Sequence, residues 1–423
     1  MMHVLGIDVG TSACRACVLD SGKRIVASAR TPLPPPRQRA AAVDQDPELW
    51  WQALLQTLDR LGRQPATLRI RRIALDATSA TLLLCDHQGR PLTPGLLYND
   101  SRAVTEAAQI ARVAPPDSPA RGAGSSLAKL LWLRRSLQRR DYLALHQADW
   151  LAGRLCGHFG FSDENNALKM GYDPLARRWP DWLRRLDVGE QQLPRVRPPG
   201  TPVGTLDPEL ARRWRWQSPV EVVAGTTDST AGFIATGADQ PGTAVTSLGS
   251  TLVLKVLSRR PVFAADYGVY SHRLGDRWLV GGASNAGGSV LRRLFGPCDI
   301  HRYARLMKPE QPTGLDYYPL ATAGERFPIN DPQLQPRLEP RPGSDAVFFQ
   351  AILEGLARIE QQGYRLLTEL GAPRPQRVLS VGGGAGNRDW TRIRRQLLGV
   401  PVEAAPQQEA AYGAALLARG YGG

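Results

Sequence analysis

A carboxylate followed by a glycine turn stands near the N-terminus, where the apolar run VLGIDV leads into Gly10, Thr11 and Ser12. Backbone N–H groups of such a turn can cradle a phosphate, and a carboxylate at a strand end, here Asp8, can hold hydrated magnesium. A plain hairpin turn, in which Asp and Gly serve only the geometry, is the alternative that this segment alone leaves open.

A second turn of the same kind is formed by Gly249, Ser250 and Thr251 in the second half of the chain. Its hydroxyls and its glycine suit the far side of a triphosphate, because no acidic residue of the turn would repel the phosphates. A turn without a ligand remains an equally good interpretation of these three residues.

The segment GGGAGNRDW lies between a predicted strand and a predicted helix. The glycines from Gly382 onward allow a ligand to approach the backbone closely, so we interpret Gly383, Gly384, Asn387 and Trp390 as nucleotide-binding candidates. A dinucleotide-binding fingerprint is a weaker interpretation, because Asn387 replaces its third glycine and too little chain follows for a doubly wound sheet. A glycine-rich turn with no ligand also stays open.

Asp228 lies in AGTTDSTAGF, where a predicted strand gives way to a small-residue loop and then to a helix that Thr226 or Thr227 can cap. In phosphoryl transfer to an alcohol, the protein must place a carboxylate that accepts the hydroxyl proton. Asp228 suits that role, and the positive helix terminus would favour an arriving anion. The alternative is an aspartate that only stabilises the helix dipole.

Several other chemistries are excluded by the motifs that the sequence lacks. It has no G-x-x-x-x-G-K-S/T loop, no protein-kinase set of glycine loop, lysine and H-R-D, and no H-E-x-x-H or paired histidine spacing. These absences set aside P-loop phosphotransferases, protein kinases and hydrolytic zinc enzymes.

The chain has 423 residues, a formal net charge of +14 and five cysteines. Its length predicts two or three domains, and two large lobes are our working arrangement. No stretch approaches the ~20 unbroken apolar residues of a membrane helix, and a secretory signal pattern is missing, so we expect a cytoplasmic protein with no membrane partner. The odd number of scattered cysteines fits reduced thiols, and Cys14 and Cys17 are expected on a strand.

The positive charge is spread over short arginine clusters, with no basic helix and no RNA-binding aromatic signature. Nucleic acid is therefore not an expected partner, and no obligate protein partner is indicated. The cationic side chains are better explained as solvated helix faces.

Strands and helices must position these candidates. The opening segment predicts an antiparallel β-meander, followed by a proline-rich connection and a helix that begins at Asp46 with Pro47 in its first turn. The runs IALDA and TLLLCD predict another strand pair, and the spacing from about Ser101 to Leu186 is helical.

The strand pattern restarts at VEVVAG and continues with a helix after Asp228, the hairpin GTAVTSLGSTLVLKVLS, a long helix from about Asp345 to Leu370, and a final helix QEAAYGAALLARG. LGIDVGTSACRACVLD and VTSLGSTLVLKVLS each present strand, polar glycine turn and strand. We interpret this similarity as a weak internal duplication, in which two lobes offer a hairpin to one ligand.

Seven segments resemble, in order, the landmarks of the FGGY carbohydrate kinase family: LGIDVGTS, DQDPELWW, LLYNDSRA, AGTTDSTAGFIATG, TSLGSTLVL, SVGGGAGN and EAAYGAALLA. Their order spans nearly the whole chain. Within that family, the chain most resembles the compact D-ribulose kinases of cyanobacteria and plants, a group also described as xylulose-kinase-like.

This resemblance implies an α/β fold with two ribonuclease-H-like lobes of the actin-like ATPase type around a central cleft. Residues 1–235 plus 407–423 would form the N-terminal lobe, on the sugar and phosphate side, and residues 236–406 the C-terminal lobe, on the nucleotide side. ATP and Mg²⁺ would be the cofactors, and lobe closure would exclude water from the transfer.

The resemblance also implies roles for single residues. Asp228 would be the catalytic base, and Asp8 the metal residue. The ATP site would consist of Thr11, Gly249, Ser250, Thr251, Gly383, Gly384, Asn387 and Trp390. The sugar pocket would be lined by Asp8, Ser12, Ser79, Asp100 and Asp228.

The sugar is indicated by a departure from the family pattern. Where bacterial xylulose and glycerol kinases carry a Gln-Met-His or Gln-His element, this chain has DATSAT around Ser79, and Tyr98 replaces a common tryptophan. These differences favour phosphorylation of D-ribulose to D-ribulose 5-phosphate, with D-xylulose as the alternative sugar. An actin-like ATPase and a sugar sensor without kinase activity are the remaining alternatives.

Overall fold

The computed structural model describes residues 2–137, 140–216 and 219–420. The chain forms two compact units. The first comprises Met1–Gly237, His272–Gly275 and Glu409–Gly423, and the second comprises Ala238–Ser271 and Asp276–Gln408. Over the described ranges, no helix combines the length and the apolar character needed to cross a membrane.

The chain up to Gly237 contains both strands and α-helices. The strands are β1 His3–Val9, β2 Ala13–Leu19, β3 Ile25–Pro32, β4 Arg37–Arg39, β5 Ala42–Gln45, β6 Ile70–Ala77, β7 Leu82–Cys85, β8 Gly95–Leu96, β9 Leu143–His146, β10 Phe161–Asp163, β11 Arg195–Arg197, β12 Pro202–Thr205 and β13 Glu221–Thr227. The α-helices are α1 Pro47–Gly62, α2 Val104–Ala111, α3 Ser126–Leu133, α4 Gln147–Cys156, α5 Pro208–Arg213 and α6 Asp228–Ala235.

The chain after Gly237 again combines strands with α-helices. The strands are β14 Thr243–Leu248, β15 Leu252–Ser258, β16 Tyr270–Leu274, β17 Arg277–Ala283, β18 Arg377–Val381 and β19 Val402–Ala404. The α-helices are α7 Gly288–Leu294, α8 Pro297–Ala304, α9 Asp345–Glu369, α10 Arg388–Leu398 and α11 Ala410–Arg419. The last helix, α11, belongs to the first unit.

The first unit is built on a sheet with the strand order β12-β13-β6-β1-β2-β3. Strands β1, β2 and β3 pair antiparallel in sequence, so the predicted meander is confirmed, while β1 pairs parallel with β6. Strand β1 is buried throughout, because α11 packs directly on it. A Cβ atom at Gly6 would lie 2.0 Å from the Ala411 carbonyl oxygen, so only glycine permits this approach.

Helix α1 begins as its sequence predicts. The Asp46 side chain accepts a hydrogen bond from the Glu48 N–H at 3.0 Å, and Pro47 occupies the first helical position. Its buried face includes Trp50, Leu54 and Leu58, which join the core of the first unit. Because the cap satisfies a free N–H group and proline has none to satisfy, the helix start is fixed locally.

Two predictions about the segment from β6 to Leu186 are wrong. The runs around β6 and β7 form strands, but they do not pair, because β6 lies between β1 and β13 while β7 belongs to a separate sheet of order β4-β5-β8-β7-β9. Residue Ala80 between them has φ of +62°, and this turn sends the chain into the second sheet. The stretch from Ser101 to Leu186 is also not helical throughout, since it contains β9 and β10.

The second unit is built on a sheet with the order β16-β17-β15-β14-β18-β19. The predicted hairpin of β14 and β15 is confirmed, and β18 pairs parallel with β14. Helices α9 and α10 are joined by a buried ion pair in which Arg394 Nε donates to Glu360 Oε2 at 2.6 Å. Arg394 also donates to Ser380 Oγ of β18, which ties both helices to the sheet.

Candidate active site

An acidic group lies at one edge of the first unit's sheet, where β1, β6 and β13 end. Asp8 on β1 is the register partner of Asp76 on β6, and Asp76 is in turn the partner of Thr226 on β13. Asp228 follows directly as the first residue of α6. Because parallel strands place their carboxyl ends at one edge, three aspartates distant in sequence come together there.

Asp8 is 6% exposed, and its Oδ2 accepts a hydrogen bond from Arg15 Nη1 at 3.0 Å. Burial raises the pKa of Asp8 to about 6, although Arg15 opposes the shift, and the negative charge of Asp228 adds to it. The carboxylate is therefore held in a place where a further cation would stabilise its charged form.

Asp76 is a residue that the sequence reasoning missed. It is fully buried, and neither of its side-chain oxygens has a hydrogen-bond partner among the described residues. Burial raises its pKa well above the usual value, and the charges of Asp8 and Asp228 act in the same direction. The available signal was the run IALDA, which resembles LGIDV in placing an acid close to the end of a buried strand.

Asp228 is half-buried, and its Oδ1 accepts the Ser229 N–H at 2.6 Å. Thr227 occupies the N-cap position of α6, but its hydroxyl donates to Thr230 Oγ1 rather than accepting a helix N–H group. Thr227 is thus the N-cap residue, as the sequence predicts, but its side chain makes no capping hydrogen bond. The expected loop before Asp228 is also missing, since β13 leads directly into α6.

The turn after β1 is closed by the Gly10 N–H, which donates to the Ala13 carbonyl oxygen at 3.1 Å. Thr11 is partly exposed and Ser12 is exposed, so both hydroxyls lie at the surface of the first unit. The turn follows Asp8 within the same hairpin. It thus presents hydroxyl and N–H groups beside the acidic group.

Ser79 lies in the turn after β6 and is partly exposed. Thr78 braces this turn, with its Oγ1 2.6 Å from Thr81 Oγ1 and donating to Gln147 Oε1 at 3.1 Å. The buried Lys129 donates to the carbonyl oxygens of Ala80 and Leu97, at 2.8 and 2.7 Å. Burial lowers the pKa of Lys129 to about 7. The turn is therefore held from inside by side chains that the sequence did not single out.

Asp100 is fully buried, unlike the other sugar-pocket candidates. Its Oδ2 accepts hydrogen bonds from the Val43 N–H at 2.7 Å and from Arg102 Nε at 2.8 Å. Arg102 also bonds Asp44 at 2.8 Å. The geometry makes Asp100 a residue that holds Arg102 and β5, and its predicted contact with a sugar stays a prediction.

The second unit contains a cavity of about 800 Å³. Six of the residues predicted to bind the cofactor line it: Gly249, Ser250, Gly383, Gly384, Asn387 and Trp390. The other two candidates are Thr251, which follows Ser250 in the same turn, and Thr11, which lies in the first unit. The sequence missed further lining residues, among them Leu291, Arg292, Ile300, His301, Arg305, Phe349 and Arg388.

The glycine-rich wall of this cavity is fixed by close packing. A Cβ atom at Gly384 would lie 2.5 Å from the Trp390 ring and 2.9 Å from Leu248 Cβ. Asn387 caps α10 by accepting the Trp390 N–H at 2.9 Å. Trp390 is 5% exposed and donates to the Leu353 carbonyl oxygen, so most of its ring belongs to the core.

The turn at Gly249 and Ser250 is braced by the segment that begins α7. The Gly288 N–H donates to the Gly249 carbonyl oxygen at 2.8 Å. Arg292 Nη2 donates to Ser250 Oγ at 2.6 Å, which brings a cation to the turn. This arrangement suits an anionic group bound at the turn.

A magnesium ion bound together with a nucleotide fits the acidic group. Within the described ranges, no cluster of three or more His, Cys, Asp or Glu side chains could hold a metal ion by itself. Kinase sites hold Mg²⁺ with one or two carboxylates, water and substrate phosphates. Both Asp76 oxygens lack a partner among the described residues and Asp8 faces Asp76 across the strand pair, so a divalent cation would offset their repulsion.

The carboxylate group on one sheet and the glycine-lined cavity beside the other suit an α/β enzyme that transfers phosphate from a nucleotide. Models of the FGGY family of carbohydrate kinases match the chain, the N-terminal domain at residues 3–235 and the C-terminal domain at residues 244–419. The chain therefore belongs to the FGGY family of carbohydrate kinases, and it is an ATP-dependent sugar kinase.

Known proteins resemble the chain over nearly its whole length. The xylulose kinase of Escherichia coli K12 is 28% identical over 425 residues, covering 94% of this chain and 85% of that protein. The crystal structure of a xyloylose kinase from Brucella ovis has a TM-score of 0.90 at 26% identity, covering 99% and 90%. A ligand-bound xylulose kinase from Lactobacillus acidophilus has a TM-score of 0.87 at 20% identity, covering 99% and 89%, and shows the fold alone. These likenesses confirm the predicted family and the two-lobed, actin-like α/β fold.

Proposed function

We propose that the protein transfers the terminal phosphate of ATP to the terminal hydroxyl of a pentulose, and that D-ribulose is the preferred sugar. The observation that carries this proposal is the position of Asp228, a half-buried carboxylate at the start of α6 beside two further aspartates. A carboxylate that is accessible yet surrounded by negative charge is well suited to accept a proton.

The two units have different roles in this proposal. Residues 1–235 plus 407–423 bind the sugar and the phosphate end, and residues 236–406 bind the nucleotide. Asp228 accepts the proton of the attacking hydroxyl, which then attacks the γ-phosphate in line. Thr11 and the N–H groups of its turn, and the turn of Gly249, Ser250 and Thr251, orient the phosphates.

Asp8 and Asp76 would hold Mg²⁺ in this mechanism. When bound, the ion supplies charge neutralisation for the phosphate oxygens. The adenosine part of ATP is bound by Gly383, Gly384, Asn387 and Trp390. Arg292 lies beside the turn of Gly249 and Ser250. Ser12, Ser79 and Asp100 are assigned to the sugar together with Asp8 and Asp228.

The preference for D-ribulose is inferred from the side chains near the turn after β6. By its resemblance to bacterial xylulose and glycerol kinases, the chain would have Ser79 in place of their Gln-Met-His or Gln-His element, and the exposed Tyr98 in place of a common tryptophan. A different set of hydrogen-bonding groups is expected to select a different arrangement of hydroxyls. D-Xylulose is the second candidate, because curated relatives such as the E. coli protein are named xylulose kinases.

The test is ADP release from purified protein with MgATP and a panel of D-ribulose, L-ribulose, D-xylulose, L-xylulose, glycerol and gluconate. A clear preference for D-ribulose in kcat/KM is the expected result. A preference for D-xylulose would overturn the assigned sugar and keep the mechanism. ADP release that no sugar stimulates would overturn both, and would favour an actin-like ATPase or a sugar sensor.

A further inference from the structure

A second cavity, in the first unit, is rich in arginine side chains. It measures about 580 Å³ and lies where α3 ends, against the segment from Arg184 to Gln192. Among the described residues that line it, four are arginines, Arg134, Arg135, Arg140 and Arg184, and only Asp187 is acidic. None of the residues assigned to ATP or to the sugar lines it. We refer to it as the arginine pocket.

Two of these arginines have only weak partners within the protein. Arg140 Nη2 lies 3.4 Å from Asp187 Oδ2, and Arg184 Nη2 lies 3.6 Å from Glu190 Oε1. Both arginines are more than 70% exposed. Exposed ion pairs of this length contribute about 0–1 kcal/mol, so an incoming anion can compete for both guanidinium groups.

The remaining two arginines are more firmly placed. Arg134 Nη1 donates to the Asp187 carbonyl oxygen at 3.0 Å, and Arg135 pairs with the buried Glu106. Asp187 itself has φ of +58°, at the end of a short 3-10 helix. The pocket therefore has a fixed wall and two cations that can reorient.

Tyr142 gives an independent indication of a ligand. This residue lines the pocket and is 2% exposed, and no described residue accepts a hydrogen bond from its hydroxyl. Burial raises the pKa of Tyr142 while Arg134 opposes the shift, but a guanidinium group only donates, so the tyrosine proton still lacks an acceptor. A buried hydroxyl without a partner costs roughly 1–3 kcal/mol. A bound acceptor oxygen would remove that cost.

We propose that the arginine pocket binds a small molecule that carries a phosphate group. A guanidinium group matches two phosphate oxygens with paired N–H donors, and the Tyr142 hydroxyl can supply one further donor. The volume lies within the range of metabolite sites, which favours a small phosphate ester over a surface contact with a larger polyanion. Part of the net charge of +14 thus belongs to a specific anion site.

The test is calorimetric titration of the whole protein with D-ribose 5-phosphate and with inorganic phosphate, using D-ribose as the uncharged probe. We expect both phosphates to bind and D-ribose not to bind. The double variant Arg140→Ala/Arg184→Ala should weaken phosphate binding by roughly 30-fold, because two charge-assisted contacts are lost. A phosphate bound in the nucleotide cavity would be unaffected by this variant.

The matched control is Arg212→Ala, because Arg212 is 76% exposed and lies 3.8 Å from Glu209, much as Arg184 lies near Glu190. It should bind phosphate like the unsubstituted protein. Tyr142→Phe should weaken binding about fivefold without lowering the Tm of the ligand-free protein, since the proton of the lost hydroxyl has no acceptor there. Phosphate binding weaker than about 1 mM, or unchanged in the double variant, would overturn the proposal.

Discussion

The two sheets of the protein share one topology and differ in what their central hairpins carry. The order β3-β2-β1-β6-β13 in the first unit corresponds to β17-β15-β14-β18-β19 in the second. In each, the first hairpin strand pairs antiparallel with its successor and parallel with a strand that arrives later in the chain. The weak duplication in the sequence therefore corresponds to a repeated sheet.

The difference lies at the strand ends. Asp8 faces Asp76 across β1 and β6, whereas the corresponding pair across β14 and β18 is Ser247 and Val381. The first edge concentrates negative charge, which suits a metal ion and proton removal. The second has no carboxylate at this register pair, which suits direct contact with phosphates. One scaffold thus supports two kinds of chemistry through a few side chains.

The largest effect is expected from Asp228→Asn, which removes the proposed base from the acidic edge. The kcat for sugar phosphorylation should fall by about 10³-fold, while the KM for ATP changes little, since this range is typical of general-base catalysis. Coupled ADP assays measure both constants.

The control separates catalysis from helix stabilisation. Asp207 also stands at a helix start, where it accepts the Glu209 N–H at 2.7 Å, so Asp207→Asn tests a capping aspartate outside the acidic group. It should leave kcat unchanged. A near-normal kcat in Asp228→Asn would show that another group accepts the proton.

The second largest effect is expected on the free energy of unfolding, when Asp76 is replaced. With its pKa raised in the folded state, Asp76 binds more protons folded than unfolded, so its stabilising contribution is lost as pH rises above the unfolded pKa. Asp76→Asn should therefore raise the free energy of unfolding near pH 7.5, and the gain should shrink as the pH falls toward 4. Urea denaturation at the two pH values measures the difference.

Asp20, on the same hairpin as Asp8, is the contrasting control. Backbone and side-chain hydrogen bonds from Arg24 hold its pKa below the usual value, despite the opposing effect of burial. Asp20→Asn should destabilise the protein near pH 7.5. If Asp76→Asn also destabilised it there, the two carboxylates would not differ as the contacts indicate.

On the second edge, Gly384→Ala should raise the KM for ATP by about tenfold. The added methyl group would meet the Trp390 ring at 2.5 Å and would have to displace the cavity wall. Gly343→Ala is the matched control, because a Cβ atom there has no neighbour within 4 Å. An unchanged KM in Gly384→Ala would place the nucleotide elsewhere.

The smallest effect is expected from Arg292→Ala, which removes the cation that contacts Ser250. The KM for ATP should rise about fivefold, and kcat should fall less, because an exposed guanidinium contributes modestly. Arg293→Ala changes the next residue of the same helix, which lies outside the described lining of the cavity. Equal KM values in the two variants would remove Arg292 from the phosphate site.

Local signals predicted much of the fold. The capped start of α1, the opening meander, the β14–β15 hairpin and the long helix α9 all depend on interactions between residues close in sequence. Pairing over long distances was harder. The β6 run lies only a few residues before β7, yet its partners are β1, far earlier in the chain, and β13, far later, so the assumed hairpin was wrong.

The sequence by itself determined the family, the two glycine turns and the candidates Asp8 and Asp228, because each is marked by residue types within one short segment. Only the tertiary structure brought Asp76 to Asp8, buried the Tyr142 hydroxyl with no acceptor for its proton among the described residues, and showed that Asp100 holds Arg102. These facts depend on burial and on contacts between distant segments, and the physical effect of a charge or a hydroxyl is set by the groups packed around it.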